Sequence, residues 1–120
     1  MIAKILVALV AIEHLYILWL EMFAWTTKGR KVFRSLAPDL FEKTRSLAAN
    51  QGLYNGFLAA GLVWSLLITN QEWAQHIATF FLSCVLVAGL YGGLTTMRGI
   101  LVKQALPAAV ALLAVLVLGY

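Results

Sequence analysis

The sequence is poor in charge, in cysteine and in acidic groups. Charged residues make up 12% of its 120 positions, about half the share usual for a soluble domain. A small soluble domain has a large surface for its volume and needs polar side chains to cover it. This chain has too few, which excludes a soluble globular domain. A single cysteine excludes an intramolecular disulfide framework. There is no phosphate-binding glycine loop, serine-elbow motif or paired-cysteine metal motif. In their place the apolar set holds 62% of positions and mean hydropathy is +0.89, values that a disordered chain does not reach. An integral membrane protein with one small domain is what remains.

A helix needs roughly 20 mainly apolar residues to cross a bilayer core. Four stretches fit, at about residues 5–25, 52–69, 77–96 and 100–120. A β-barrel would show alternating segments of about 10 residues, and runs such as 105–118 do not alternate. The expected fold is therefore all-α: a polytopic membrane protein with four transmembrane helices in one bundle. The first span carries Glu13, His14 and Glu21, and no small-residue cleavage site follows it, so it does not read as a signal peptide. No lipidation motif is visible at either end.

The charges set orientation. The connection 26–49 holds Lys28, Arg30, Lys31, Arg34, Lys43 and Arg45 against Asp39 and Glu42, whereas 70–76 holds Glu72 and no cation. Arg98 and Lys103 mark the third connection. Positive loops stay cytoplasmic, so the first and third connections are expected inside a bacterial inner membrane, with both termini outside; Lys4 argues weakly the other way. The net charge of +4 is thus mostly a topology signal. Nucleic-acid binding is the poorer reading, and anionic lipid headgroups are the better partners for this loop. Trp25 and Trp73 fall at opposite membrane interfaces.

Within the connection, Lys28-Gly29-Arg30 reads as a turn, and Ala37-Pro38-Asp39 as a helix start. The spacing of Leu40, Phe41, Thr44, Leu47 and Ala48 is helical and amphipathic, which predicts a short interfacial helix running into span two. Pro107 leaves span four open between a helix that starts near Leu106 and one that starts near Gly99 and kinks.

An ionisable residue inside a span is costly and points to function. At about 100° per residue, Glu13, His14, Glu21 and Trp25 share one face of span one, which must meet protein. Ile12, Trp19 and Phe23 lie opposite, with Tyr16 at the edge, and are free to meet lipid. Span two offers Gln51, Tyr54 and Asn55 beside a small-xxx-small ladder, Gly52, Gly56 and Ala60, that lets helices approach closely. Span three repeats the pattern with Ala88, Gly89, Tyr91, Gly92 and Gly93. Depth at about 1.5 Å per residue gives two expected polar layers. The inner one is Glu21, Gln51, Tyr54, Asn55 and Tyr91; the midplane one is Glu13 and His14 with Ser65 or Ser83. Two histidines are too few to define a metal site, and no cofactor is expected.

The strings Glu13-His14-Leu15-Tyr16-Ile17, Leu20-Glu21-Met22-Phe23-Ala24-Trp25, Asn50-Gln51-Gly52-Leu53-Tyr54-Asn55-Gly56 and Ala88-Gly89-Leu90-Tyr91-Gly92 resemble the small bacterial four-span membrane family catalogued as domain of unknown function 1304. The resemblance covers nearly the whole chain. It implies a four-helix membrane protein and no particular activity.

Three readings follow. The first is proton-linked binding or transport of a small molecule, in which Glu13 exchanges a proton for substrate, His14 tunes it, and Glu21 with Asn55 lines the inner exit. Its size matches the small multidrug resistance transporters, though the motifs differ, and so short a bundle implies a homodimer. The second is an intramembrane enzyme with isomerase-like acid/base chemistry on a lipid-soluble substrate, with Glu13, His14 and Glu21 as catalytic candidates. The third is a structural or regulatory membrane subunit. The ligand-binding set common to these readings is Glu13, His14, Glu21, Trp25, Gln51, Tyr54, Asn55 and Tyr91.

Overall fold

The computed structural model describes residues 1–120. It is all-α, without strands. In chain order the helices are α1 (Ile2–Phe23), α2 (Lys28–Val32), α3 (Leu40–Lys43), α4 (Arg45–Leu67) and α5 (Gln71–Thr95), then a π-helical turn (Leu101–Ala105) that leads into α6 (Leu106–Leu118).

Three of the helical stretches are long and apolar enough to cross a membrane: Ile2–Phe23, Gln71–Thr95 and Leu101–Leu118. This corrects the expectation of four. The 23 residues of α4, at about 1.5 Å each, match the roughly 30 Å of a bilayer core. Composition is what separates α4 from the others. Its first half carries Arg45, Ser46, Asn50, Gln51 and Asn55, together with Gly52 and Gly56.

The outward surface of α1 agrees with its pattern. Ile5, Leu9, Ile12, Tyr16, Trp19 and Phe23 recur at three- and four-residue steps, and each is 45% exposed or more. The other side carries Val7, Val10, Ala11, His14, Leu20 and Glu21, all buried. A continuous exposed apolar stripe of this length is an interaction surface rather than a water-facing one, and in a 22-residue helix it suits lipid.

Helix ends follow local chemistry. The sequence pattern places the start of the third span at residue 77, yet α5 begins at Gln71. Asn70, in an extended conformation, accepts from the backbone N–H of Trp73 through its side chain, a standard N-cap that draws the first turn forward. Glu72, Trp73 and His76 thus sit on α5 rather than in a loop. The π turn resolves the position of Pro107. The Leu106 N–H donates five residues back, to the Leu101 carbonyl. A proline ring clashes with the carbonyl four residues before it, here that of Lys103, and the wider π spacing makes room. The helix therefore starts ahead of Pro107 and passes over it.

The chain divides into two compact units, one of Met1–Ile12 with Leu58–Tyr120, the other of Glu13–Phe57. In the first, Val7, Val10, Leu62, Leu82, Val85, Ala111 and Val115 form the dry core. Here α5 meets the π turn at Gly89, where a Cβ would lie 2.8 Å from the backbone nitrogen of Ala105. Ser65, 1% exposed, donates to the Leu62 carbonyl at 2.6 Å and pairs with the Tyr120 hydroxyl at 2.6 Å. Tyr120→Phe removes this second bond, with an expected loss of about 1 kcal/mol that thermal unfolding in detergent would register.

Candidate functional site

The second unit holds most of the expected site, and its geometry starts from two glycines. A Cβ on Gly52 would lie 2.7 Å from Met22 Cγ, 3.0 Å from Glu21 Cβ and 3.2 Å from the Leu18 carbonyl; one on Gly56 would lie 2.5 Å from Leu18 Cδ1. The two glycines of the ladder read from the sequence therefore do bring α4 against α1, whereas its third member, Ala60, is exposed. That approach places the side-chain amide of Asn55 on Glu21: Nδ2 donates to Glu21 Oε1 at 2.8 Å. The same nitrogen donates at 3.1 Å to the backbone carbonyl of Gln51, one turn earlier, which fixes the amide's orientation.

Glu21 is 4% exposed. The ion pairs Lys43–Asp39 and His76–Glu72 lie at exposed positions, and neither involves Glu21. A neutral amide is thus the group that faces this carboxyl. Its N–H can donate to the carbonyl oxygen of a protonated acid and to either oxygen of the ionised form, so one geometry serves both protonation states.

His14 is completely buried, and Glu13 beside it is half-buried. The serines expected to join them are engaged elsewhere. Ser65 pairs with Tyr120, and Ser83 donates to the Thr79 carbonyl of its own helix at 2.7 Å, a common use of a helical serine. The inner layer is also smaller than expected. Gln51 is exposed and contributes its backbone carbonyl. Tyr54 is exposed and meets Phe57 edge-on at 5.6 Å. Tyr91 is exposed as well. It lines an open groove of about 560 Å³ on α5 with Phe80, Ser83, Cys84, Val87 and Ala88; no carboxyl group is among the lining residues.

Trp25, expected beside Glu21 on the polar face, makes its contacts with the connecting segment. Its indole Nε1 donates to Thr44 Oγ1 at 3.0 Å, and its ring lies 5.2 Å from both Phe33 and Phe41. Thr44 in turn donates to the Leu40 carbonyl at 2.7 Å. This back-bond falls at the single residue between α3 and α4; the Thr44 N–H still donates to the Leu40 carbonyl at 2.9 Å and the Ala48 N–H to the Thr44 carbonyl at 2.8 Å, so the short amphipathic helix leads almost directly into α4. Arg30 closes the loop from the other side: Nε donates to the Thr26 carbonyl and Nη1 to the Pro38 carbonyl, both at 2.7 Å. Its guanidinium carbon lies 5.1 Å from the Phe41 ring centroid. Lys28-Gly29-Arg30, expected as a turn, is helical, and Gly29 packs its backbone against Ala24 and Trp25.

Sequence reasoning missed Thr44, Phe33, Phe41 and Arg30 as a unit. The available signal was two phenylalanines, one of them 2% exposed, inside a loop otherwise read for its charge. Thr44→Val would leave the Trp25 N–H without its acceptor; a loss of about 1 kcal/mol is expected, with a change in Trp25 fluorescence as the local readout.

Fold and site together define an all-α chain with three helices of membrane-crossing length and composition and a buried acid bonded to a half-buried amide on a second helix. The chain belongs to the family described as Protein of unknown function (DUF1304), whose model matches residues 8–116; this bears out the resemblance carried by the four sequence strings. It is also similar to "Uncharacterized protein YpaA" of Lactococcus lactis subsp. lactis (strain IL1403). The two are 32% identical over 111 residues, which cover 91% of this chain and 92% of the relative. No solved structure matches the chain.

Proposed function

We propose that this protein binds or transports a small molecule in exchange for a proton, and that Glu21, held by Asn55, is the group that carries the proton. One observation supports this above others: a carboxyl group 4% exposed on an apolar helix, faced by a neutral amide at 2.8 Å. An ionised carboxylate in such surroundings is expensive unless a cation joins it. The favourable states are then a protonated acid or a carboxylate with a bound cation, and exchange between them couples ligand to proton. A purely structural role is a weaker explanation. Interhelical hydrogen bonds in membranes are worth about 0.6 kcal/mol on average, a small return for burying an acid.

The substrate class this favours is a lipophilic cation, able to reach a carboxyl within an apolar helix pair. Glu13 and His14, two turns away along α1, are proposed as a second proton-handling pair. Six cations among residues 26–49 favour a cytoplasmic side for that loop in a bacterial cell membrane, with a homodimer as the working assembly.

The test uses purified protein in liposomes loaded with a pH-sensitive dye. Tetraphenylphosphonium added outside should drive proton movement through the wild type and none through Glu21→Gln. Equal signals from the two proteins would sink this reading. Silence from both, with tetraphenylphosphonium also failing to bind in detergent, would turn the pair into a packing device.

A further inference from the structure

We infer that the segment 26–38 is a preformed docking surface for anionic phospholipid headgroups at the membrane interface. Between Thr26 and Pro38 the chain carries Lys28, Arg30, Lys31 and Arg34 and no acidic residue. Acids return only beyond it: Asp39 is paired with Lys43 at 3.4 Å, and Glu42 is on α3.

The cations are of two kinds. Arg30 is consumed by the fold, through the Thr26 and Pro38 carbonyls and the Phe41 ring. Lys28, Lys31 and Arg34 are exposed; Arg34 uses Nε on the Lys31 carbonyl at 3.1 Å, which steadies its stem against α2. The segment that carries them is not a loose tether. Its Phe33 and the nearby Phe41 pack tilted against the Trp25 ring, each at 5.2 Å, and Trp25 is bonded to Thr44. Charges held on a fixed base lose less freedom on binding than charges on a flexible loop.

Apolar groups mark the level at which this surface sits. Phe23, the last residue of α1, is 73% exposed, and Leu47, in the first turn of α4, is 72% exposed. They flank the basic segment on either side in the chain, one at the end of a membrane-length helix. Cations between exposed apolar anchors match the boundary of acyl chains and headgroups. An anionic headgroup is the partner that supplies the missing negative charge there. A soluble acidic protein would leave Phe23 and Leu47 uncovered. The surface is independent of the Glu21–Asn55 pair and stands or falls apart from it.

Native mass spectrometry of the detergent-solubilised protein tests this, with equimolar phosphatidylglycerol and phosphatidylcholine offered together and inorganic phosphate in a separate arm. Phosphatidylglycerol should be retained in preference, and phosphate alone should not be retained. Each neutralised cation should weaken retention about fivefold at low salt, so Lys28→Gln/Lys31→Gln/Arg34→Gln should abolish the preference. The charge-preserving Lys28→Arg/Lys31→Arg/Arg34→Lys should keep it. If the triple glutamine variant does not fold, added salt on the wild type serves instead, and the preference must fall as salt rises. Equal retention of the two lipids, a preference that survives neutralisation, or one indifferent to salt would overturn the inference; retention of phosphate alone would make it a free-anion site.

Discussion

Gly89→Ala is expected to destabilise the protein by about 1–3 kcal/mol, whereas Gly92→Ala on the same helix is expected to be neutral or mildly stabilising. Alanine is the better helix former by about 1 kcal/mol, so both substitutions begin with a gain. Their surroundings then separate them. At Gly89 the added Cβ would lie 2.8 Å from the Ala105 nitrogen and 2.9 Å from its Cα. Those are backbone atoms of the π-helical turn and have no rotamer through which to escape. Either α5 or the turn must move, and the core around Val85 and Ala108 opens with it. At Gly92 the new methyl would meet Ile100 side-chain carbons at 3.5 and 3.6 Å, an ordinary contact. Thermal unfolding of the two variants in one detergent gives the comparison. Similar midpoints would show that α5 does not depend on close approach at Gly89.

Asn55→Leu should carry the second large effect, a loss of about 1–3 kcal/mol. The average for hydrogen bonds in membranes, about 0.6 kcal/mol, would suggest less. That average is the net worth of a pair, kept low because the unfolded chain in the membrane also finds partners; removing one member costs more, because it strands the other. Glu21 has little freedom to find another partner: it is 4% exposed, and the Gly52 contact holds its Cβ against α4. Glu21→Leu/Asn55→Leu removes both polar groups and should recover most of the loss. A double-mutant cycle in stability should therefore show strong coupling. Additive losses would mean that the two side chains do not depend on one another.

Much of this pair is legible in the amino-acid sequence. Glu21 and Asn55 stand out because polar residues are rare in this chain, and Gly52 and Gly56 announce the close helix approach that joins them. The outward stripe of α1 also follows from its period. Other features depend on contacts that periodicity does not encode. Trp25 lies on the same face as Glu21, yet the loop supplies Thr44 as its acceptor, and nothing in local sequence pairs residues 25 and 44. Tyr54 and Tyr91 sit near the small-residue ladders in sequence, but their side chains face outward; a ladder defines where backbones meet, not which neighbouring ring turns inward. For Ser65, the partner is Tyr120, at the far end of the chain. The polarity of α4 is visible residue by residue. Its consequence, three strongly apolar helices and one mixed, emerges because α4 ends at Leu67, so that any membrane-length stretch of it must take in Asn50, Gln51 and Asn55.

The most direct measurement of the central claim is infrared difference spectroscopy of the protein with and without tetraphenylphosphonium. If Glu21 exchanges a proton for a cation, the probe should remove a protonated-carboxyl band, and that loss should be missing from Glu21→Gln while Glu13→Gln retains it. A carboxyl signal that does not respond to the probe, or one that responds equally in Glu21→Gln, would contradict the assignment of Glu21 as the proton carrier.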